Sequence, residues 1–230
     1  MAIAHRGDPH RGREDALVSF RSAIEAGADV VKLDVRATRD ELPVVVHDRT
    51  LRRRWGPNLR VEDLTIQELR ALTGPHLPLL REALAVTYPV RTLIGLPEPS
   101  AAAARAAAEV VQENGATKRV TYCGDPAALR AVRAADRDAE IALTWQRTAQ
   151  PRLSLLRDLR PHWLNIRFGL LSRETVRSAH AEGYRVAAWT ADSPPTMRRL
   201  VGMGVDAIST HHIGALRRVL GRQDPGPATG

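Results

Sequence analysis

The sequence predicts an α/β fold, a (β/α)8 barrel of the TIM type, spanning residues 1–220 as a single domain. Short apolar or β-branched runs alternate with helix-length stretches along nearly the whole chain, and such alternation builds parallel strands with crossover helices. Around eight such units close a barrel whose usual size is about 250 residues. No Gly-x-Gly-x-x-Gly or phosphate-loop motif follows the first run, which disfavours the alternative, a doubly wound open sheet.

In order, the strand-like runs are Ala2–His5, Val30–Val35, Pro43–His47, Thr92–Leu96, Arg119–Cys123, Ile141–Trp145, Trp163–Ile166, Arg185–Thr190 and Asp206–Thr210. Between them, Ala16–Ala26, Ala101–Glu113, Ala127–Ala135, Arg173–Glu182 and Pro195–Met203 carry apolar residues three and four apart, the helical period. Gly27, Gly115, Gly183 and Gly204 fall just after helices, where a left-handed cap is wanted. Asp125-Pro126 and Ser172 through Thr175 read as helix starts, with Pro126 at the first helical position. Gly221–Gly230 is rich in Gly and Pro and reads as a disordered tail.

Composition excludes several classes. The chain is 43% hydrophobic and 26% charged, which suits a folded core rather than disorder. The single cysteine, Cys123, rules out a disulfide framework and a cysteine-based zinc site, and reads as a small core residue. No apolar run approaches the roughly 20 residues of a membrane helix. The opening residues lack a basic segment followed by an apolar one, so a cytoplasmic location is expected. The net charge of +8 raises nucleic-acid binding as an alternative of another class. Arginine- and alanine-rich usage is the signature of coding bias, however, and only Lys32 and Lys118 are lysine. Zinc-ligand spacing and stacking aromatics are lacking, so no specific nucleic-acid partner is expected.

In a barrel, function sits at the C-terminal ends of the strands. The first run ends in His5-Arg6-Gly7, the second carries Lys32-Leu33-Asp34, and a third ends in His47-Asp48. A side-chain period of two points Lys32 and Asp34 the same way, into the mouth. Two histidines at neighbouring strand ends suit general acid–base work. The bland alternatives are hydrogen-bonded scaffold histidines and a Lys–Asp salt bridge.

His5-Arg6-Gly7, Glu14-Asp15-Ala16, Gly27 through Val35, Thr38-Arg39-Asp40 and Pro43 through Asp48 together resemble the glycerophosphodiester phosphodiesterase family. So do Asp63-Leu64-Thr65 with Glu68-Leu69, and, near the C-terminus, Val186 through Thr190 and Gly204 through Thr210. The resemblance covers residues 2–220. It implies a barrel that hydrolyses glycerophosphodiesters to an alcohol and glycerol phosphate. It also implies His5 and His47 as acid–base groups, and Arg6, Lys32, Glu14 and Trp189 around the phosphate and glycerol. The family's inserted segment is short here, within Arg49–Pro78.

The family holds Mg²⁺ or Ca²⁺ on three carboxylates, of which only Asp34 survives. Lys32 stands where the first Glu belongs. Gly95-Leu96-Pro97 aligns with the third-strand Glu-x-Lys, and His211 replaces a C-terminal Asp. Two unit charges 4 Å apart interact by about 4 kcal/mol at an effective dielectric of 20, so Lys32 opposes a cation beside Asp34. Three readings stay open. Lys32 replaces the cation in a metal-independent enzyme. Alternatively, the chain is a weakened or inactive relative that binds a phosphorylated metabolite. In the third, it acts on a different phosphodiester or phospholipid headgroup, selected by a loop carrying Arg52–Arg54 and Trp55.

Overall fold

The structure is a computed structural model that describes residues 1–149 and 151–221. Eight parallel strands close a barrel. They are β1 (Ala2–His5), β2 (Val30–Ala37), β4 (Arg91–Leu96), β5 (Val120–Gly124), β6 (Glu140–Trp145), β7 (Trp163–Arg167), β8 (Arg185–Trp189) and β9 (Ala207–Thr210). β1 pairs with both β2 and β9, which completes the ring. The remaining strand, β3 (Pro43–Val45), is not a stave. It folds back antiparallel on β2, with Val35 opposite Val45, so the Pro43–His47 run is a hairpin return rather than a barrel strand.

Helices α1 (Leu17–Glu25), α5 (Ala101–Glu113), α6 (Pro126–Ala135), α8 (Arg173–Ala181) and α9 (Pro194–Met203) fall where the apolar period puts them. Five more were not resolved by that period: α2 (Arg52–Trp55), α3 (Ile66–Thr73), α4 (Leu80–Thr87), α7 (Leu153–Leu159) and α10 (Ile213–Val219). Arg52–Arg54 thus lies in a short helix, not a loop. The start of α3 is written in its sequence as a capping box. Thr65 accepts from the Glu68 backbone N–H, and the Glu68 carboxylate accepts from the Thr65 N–H at 2.8 Å. Asp125 caps α6, accepting from Ala127 N–H at 2.7 Å, with Pro126 at the first position. Residues 222–230, most of the expected tail, lie outside the described residues.

The barrel interior explains where the site must be. One layer takes a residue from each stave: Ile3, Val30, Leu93, Cys123, Ala142, Trp163, Ala187 and Ala207, all buried. The bulk of Trp163 is accommodated among small neighbours, and Cys123 is one of them, as expected of a core thiol. Two residues further along seven staves stand His5, Lys32, Gly95, Thr144, Asn165, Trp189 and Ser209. The same face of the sheet turns from apolar to polar within one pleat. Outside the barrel, two larger clusters seal staves to helices. A fourth, smaller core (Val44, Val46, Leu51, Val61, Leu69, Leu77, Leu79) belongs to the excursion between β2 and α4.

Candidate active site

The polar layer lines a cavity of about 760 Å³ at the C-terminal end of the barrel. His5, Arg6, Lys32, Asp34, His47 and Trp189 all reach it. Parallel pairing sets His5 beside Lys32 and, on the other edge of β2, Asp34 beside Gly95. Lys32 Nζ donates to Asp34 Oδ2. Arg6 Nε reaches the same oxygen at 3.2 Å, and Arg6 Nη1 donates to Glu14 Oε2 at 2.8 Å. A Cβ on Gly95 would stand 2.3 Å from Asp34 Oδ1 and 3.2 Å from Lys32 Cε. The glycine therefore makes the room that the Lys32–Asp34 pair fills.

His47 comes from the excursion rather than from a barrel strand, which corrects the expectation of two histidines at neighbouring stave ends. Its place is fixed through its backbone: Arg36 donates twice to the His47 carbonyl, at 3.0 and 2.7 Å. Its Nδ1 faces Asp48 Oδ1 at 3.1 Å. His5 Nδ1 meets Ser209 Oγ at 3.1 Å.

Burial, then the Lys32 and Arg6 charges, push the His5 imidazole down to about 2, so it is neutral without an anion present. Burial also lowers His47, while Asp34 and Asp48 work against the shift. Burial alone would raise Asp34, but the charge and hydrogen bond of Lys32 hold it below the ordinary carboxylate value. Glu14 likewise resists burial through hydrogen bonds from Arg53 and Arg6 and sits at about 2. It stands behind Arg6 rather than on the cavity wall.

Several sequence candidates are already engaged. Arg53 bridges Asp48 (2.6 Å) and Glu14 (2.7 Å), and Arg54 donates to the Glu14 carbonyl at 2.7 Å. Neither they nor Trp55 line the main cavity. Trp189 donates its indole N–H to the Asn165 carbonyl at 3.0 Å and presents its ring as wall. Sequence reasoning missed Asn165, Thr144 and Ser209. Their signal was the register, two residues past the apolar layer. It also missed Asp15, buried with neither carboxylate oxygen hydrogen-bonded and Arg54 at 3.7 Å. Burial and then the nearby Asp34 raise it to about 7. His211, edge-on to His5 at 5.0 Å between ring centres, is oriented by Asp192 at 2.9 Å.

A divalent cation of the family type does not fit these residues. Asp34 is its one surviving ligand, and that carboxylate is already satisfied by an ammonium and a guanidinium. Among the described residues no three His, Cys, Asp or Glu side chains converge as a metal set.

A TIM-type barrel whose mouth gathers two imidazoles and two fixed cations is built as an enzyme-type barrel, with its polar site at the C-terminal ends of the strands and a positive centre suited to an anion. The sequence profile of the Glycerophosphoryl diester phosphodiesterase family matches residues 5–215, and the chain belongs to that family. A Mycobacterium tuberculosis protein named "Probable glycerophosphodiester phosphodiesterase 2" is 31% identical across 96% of this chain and 90% of its own length. The glycerophosphodiester phosphodiesterase of Caldanaerobacter subterraneus is 28% identical across 91% and 93%. In fold, the chain superposes with a TM-score of 0.85 on an Oleispira antarctica phosphodiesterase solved with its product sn-glycerol-3-phosphate. That pair shares 23% identity, with 96% of each chain covered. No helix among the described residues is long and apolar enough to cross a membrane.

Proposed function

We propose that this protein hydrolyses glycerophosphodiesters to an alcohol and glycerol phosphate, with Lys32 in the electrostatic role that a cation plays in its relatives. The observation that carries the reading is the Lys32–Asp34 pair, seated in the space left by Gly95 and flanked by His5 and Arg6. Lysine is a compact point charge that suits a phosphoryl oxygen. In a chain with 34 Lys and Arg residues, of which only Lys32 and Lys118 are lysine, its use here is selective.

The phosphodiester anion docks on Lys32 and Arg6 and offsets their charge, which lifts both imidazoles toward their working range. His5, held by Ser209 through Nδ1, takes the proton from the glycerol 2-hydroxyl. That oxygen attacks phosphorus, and the bond to the leaving alcohol breaks. His47, whose imidazolium Asp48 favours, delivers a proton to the alcohol oxygen. The cyclic diester is then opened by water with the two histidines exchanging roles, and glycerol phosphate leaves. Lys32 and Arg6 stabilise charge on the non-bridging oxygens throughout.

The test is glycerol phosphate release in chelator and in added Mg²⁺ or Ca²⁺, beside His5→Ala, His47→Ala and Lys32→Met. Turnover should survive chelator. Each histidine variant should lose about 10²–10⁴-fold, and Lys32→Met about 10²–10³-fold, as for loss of one charge-stabilising donor. Turnover that requires added metal, or that ignores Lys32→Met, rejects the mechanism. Binding of glycerol phosphate without turnover would instead identify a binding relative.

A further inference from the structure

The cavity is larger than its catalytic corner, and its opposite wall has a different chemistry. β6 lies four staves from β1 in either direction around the ring, so it faces His5 and Arg6 across the mouth. There the lining comes from β6, the segment after it, and the starts of α6 and α7. It includes Trp145, Arg147 and Arg152, with Arg130 from α6. All three guanidiniums are exposed to solvent. Arg130 has one long contact, 3.5 Å to Asp158, and no ion pair is made by Arg147 or Arg152 among the described residues. Asp125 is the one carboxylate on this wall, and it is spent on capping α6.

A glycerophosphodiester has two arms on its phosphorus. The glycerol arm carries only hydroxyls and gains little from a wall of guanidiniums. The alcohol arm is where a charge can differ between substrates. We propose that the Arg130, Arg147 and Arg152 wall is a second anion subsite. It selects glycerophosphodiesters whose alcohol arm ends in a phosphate or carboxylate over those whose arm ends in a quaternary ammonium. This rests on the reading that the catalytic corner binds the diester phosphate. Guanidinium forks bind phosphate and carboxylate bidentately, and they repel a cationic arm. Trp145 stands at the same wall with its indole N–H donated to the Ala149 carbonyl at 2.7 Å, which leaves its ring as an apolar floor for the arm's carbon chain.

The experiment compares kcat/KM for three diesters at low salt: glycerophosphocholine, glycerophosphoglycerol, and glycerophosphoglycerol bearing a terminal phosphate. The same panel is titrated by calorimetry onto the unmodified protein and onto the triple variant Arg130→Gln/Arg147→Gln/Arg152→Gln. The phosphate-terminated diester should exceed glycerophosphocholine by about tenfold or more, mainly through KM, with the ratio shrinking as salt screens the exposed charges. The triple variant should bring that ratio to about twofold or less, while the corresponding triple Lys variant should retain most of it. Equal use of all three arms, or a preference that survives the triple Gln variant, overturns the subsite while leaving the hydrolase reading in place. Cleavage of none, with arginine-dependent binding of the phosphate-terminated diester, overturns the hydrolase reading and supports the subsite.

Discussion

The two walls of one cavity are built in opposite ways. On the β1–β2 side the cations are interlocked with carboxylates: Lys32 and Arg6 share Asp34, Arg6 leans on Glu14, and Glu14 is gripped by Arg53 and Arg54. Lys32 and Asp34 sit on stave β2, Arg6 directly follows β1, and all of these groups but Arg53 are buried or half-buried. On the β6 side the arginines project from helix starts and a connecting segment, exposed and almost without partners. A reaction needs charges held in one place, because a displacement of about 1 Å can cost 10²-fold in rate. Selection among arms of different charge needs groups that are free to meet them. On the two proposals above, buried charge belongs to chemistry and exposed charge to choice.

The sharpest way to break this contrast is to disturb the fixed side without removing a charge. Gly95→Ala puts a methyl group where Asp34 Oδ1 now lies, so the pair must move. We expect kcat/KM to fall about 10²-fold and stability to fall by about 1–3 kcal/mol, the usual penalty for overpacking. Steady-state kinetics with urea unfolding reads both, and wild-type rates in this variant would mean the pair is not where the chemistry happens.

A smaller effect is expected at Asp15, the one buried carboxylate among the described residues with neither oxygen hydrogen-bonded. Its folded value of about 7 lies above the ordinary 3.8. From pH 4 to 7 the folded chain therefore keeps a proton that the unfolded chain has released. Its contribution to stability thus declines as pH rises through that window and is fully lost above it. Asp15→Asn should gain about 1–3 kcal/mol at pH 8, the scale of an unsatisfied buried polar group. It should be nearly neutral near pH 3.5, where the side chain is largely protonated in both the folded and the unfolded chain. Urea titrations at both pH values check this, and an equal effect at the two would refute the assignment.

The least effect is expected at Arg52, which the basic run made conspicuous and the structure leaves at the surface, away from the main cavity. Arg52→Ala should change stability by no more than about 0.5 kcal/mol, as surface substitutions do. A larger change in a thermal melt would show that the short helix α2 depends on it.

What the sequence made legible follows the same division. Local periods, glycine caps and Pro126 carried the strand–helix alternation, and the His5, Lys32, Asp34 and His47 positions emerged from strand-end motifs. The absence of a second and third carboxylate was also readable, at Lys32 and Gly95. What Gly95 is for was not. Only the register of β2 on β4 brings its missing side chain against the Asp34 carboxylate. The same holds for Asn165, Thr144 and Ser209, ordinary polar residues that matter because eight staves put them in one layer. Arg53 and Arg54 looked available for phosphate because a sequence shows charges without their partners. Glu14 lies about 40 positions away along the chain, so the pairing is a tertiary fact. Short helices such as α7 were too brief for a clear period. α3 had a readable start at Thr65 and Glu68 that composition alone obscured.

The excursion between β2 and α4 carries a consequence of its own. His47 rides on a segment with a private apolar core, distinct from the clusters that seal the barrel, and it meets the mouth through Arg36, the Arg53 and Arg54 contacts to Glu14, and a few backbone bonds. Units of this kind open with a free energy below that of the whole domain. On the mechanism proposed above, opening this unit leaves His5 and Lys32 on their staves to meet a phosphodiester but withdraws His47, the acid assigned to the departing alcohol. On that mechanism the open unit is an idling state, loaded and intact, and the fraction of time spent in gear would follow from seven buried side chains outside the main cavity.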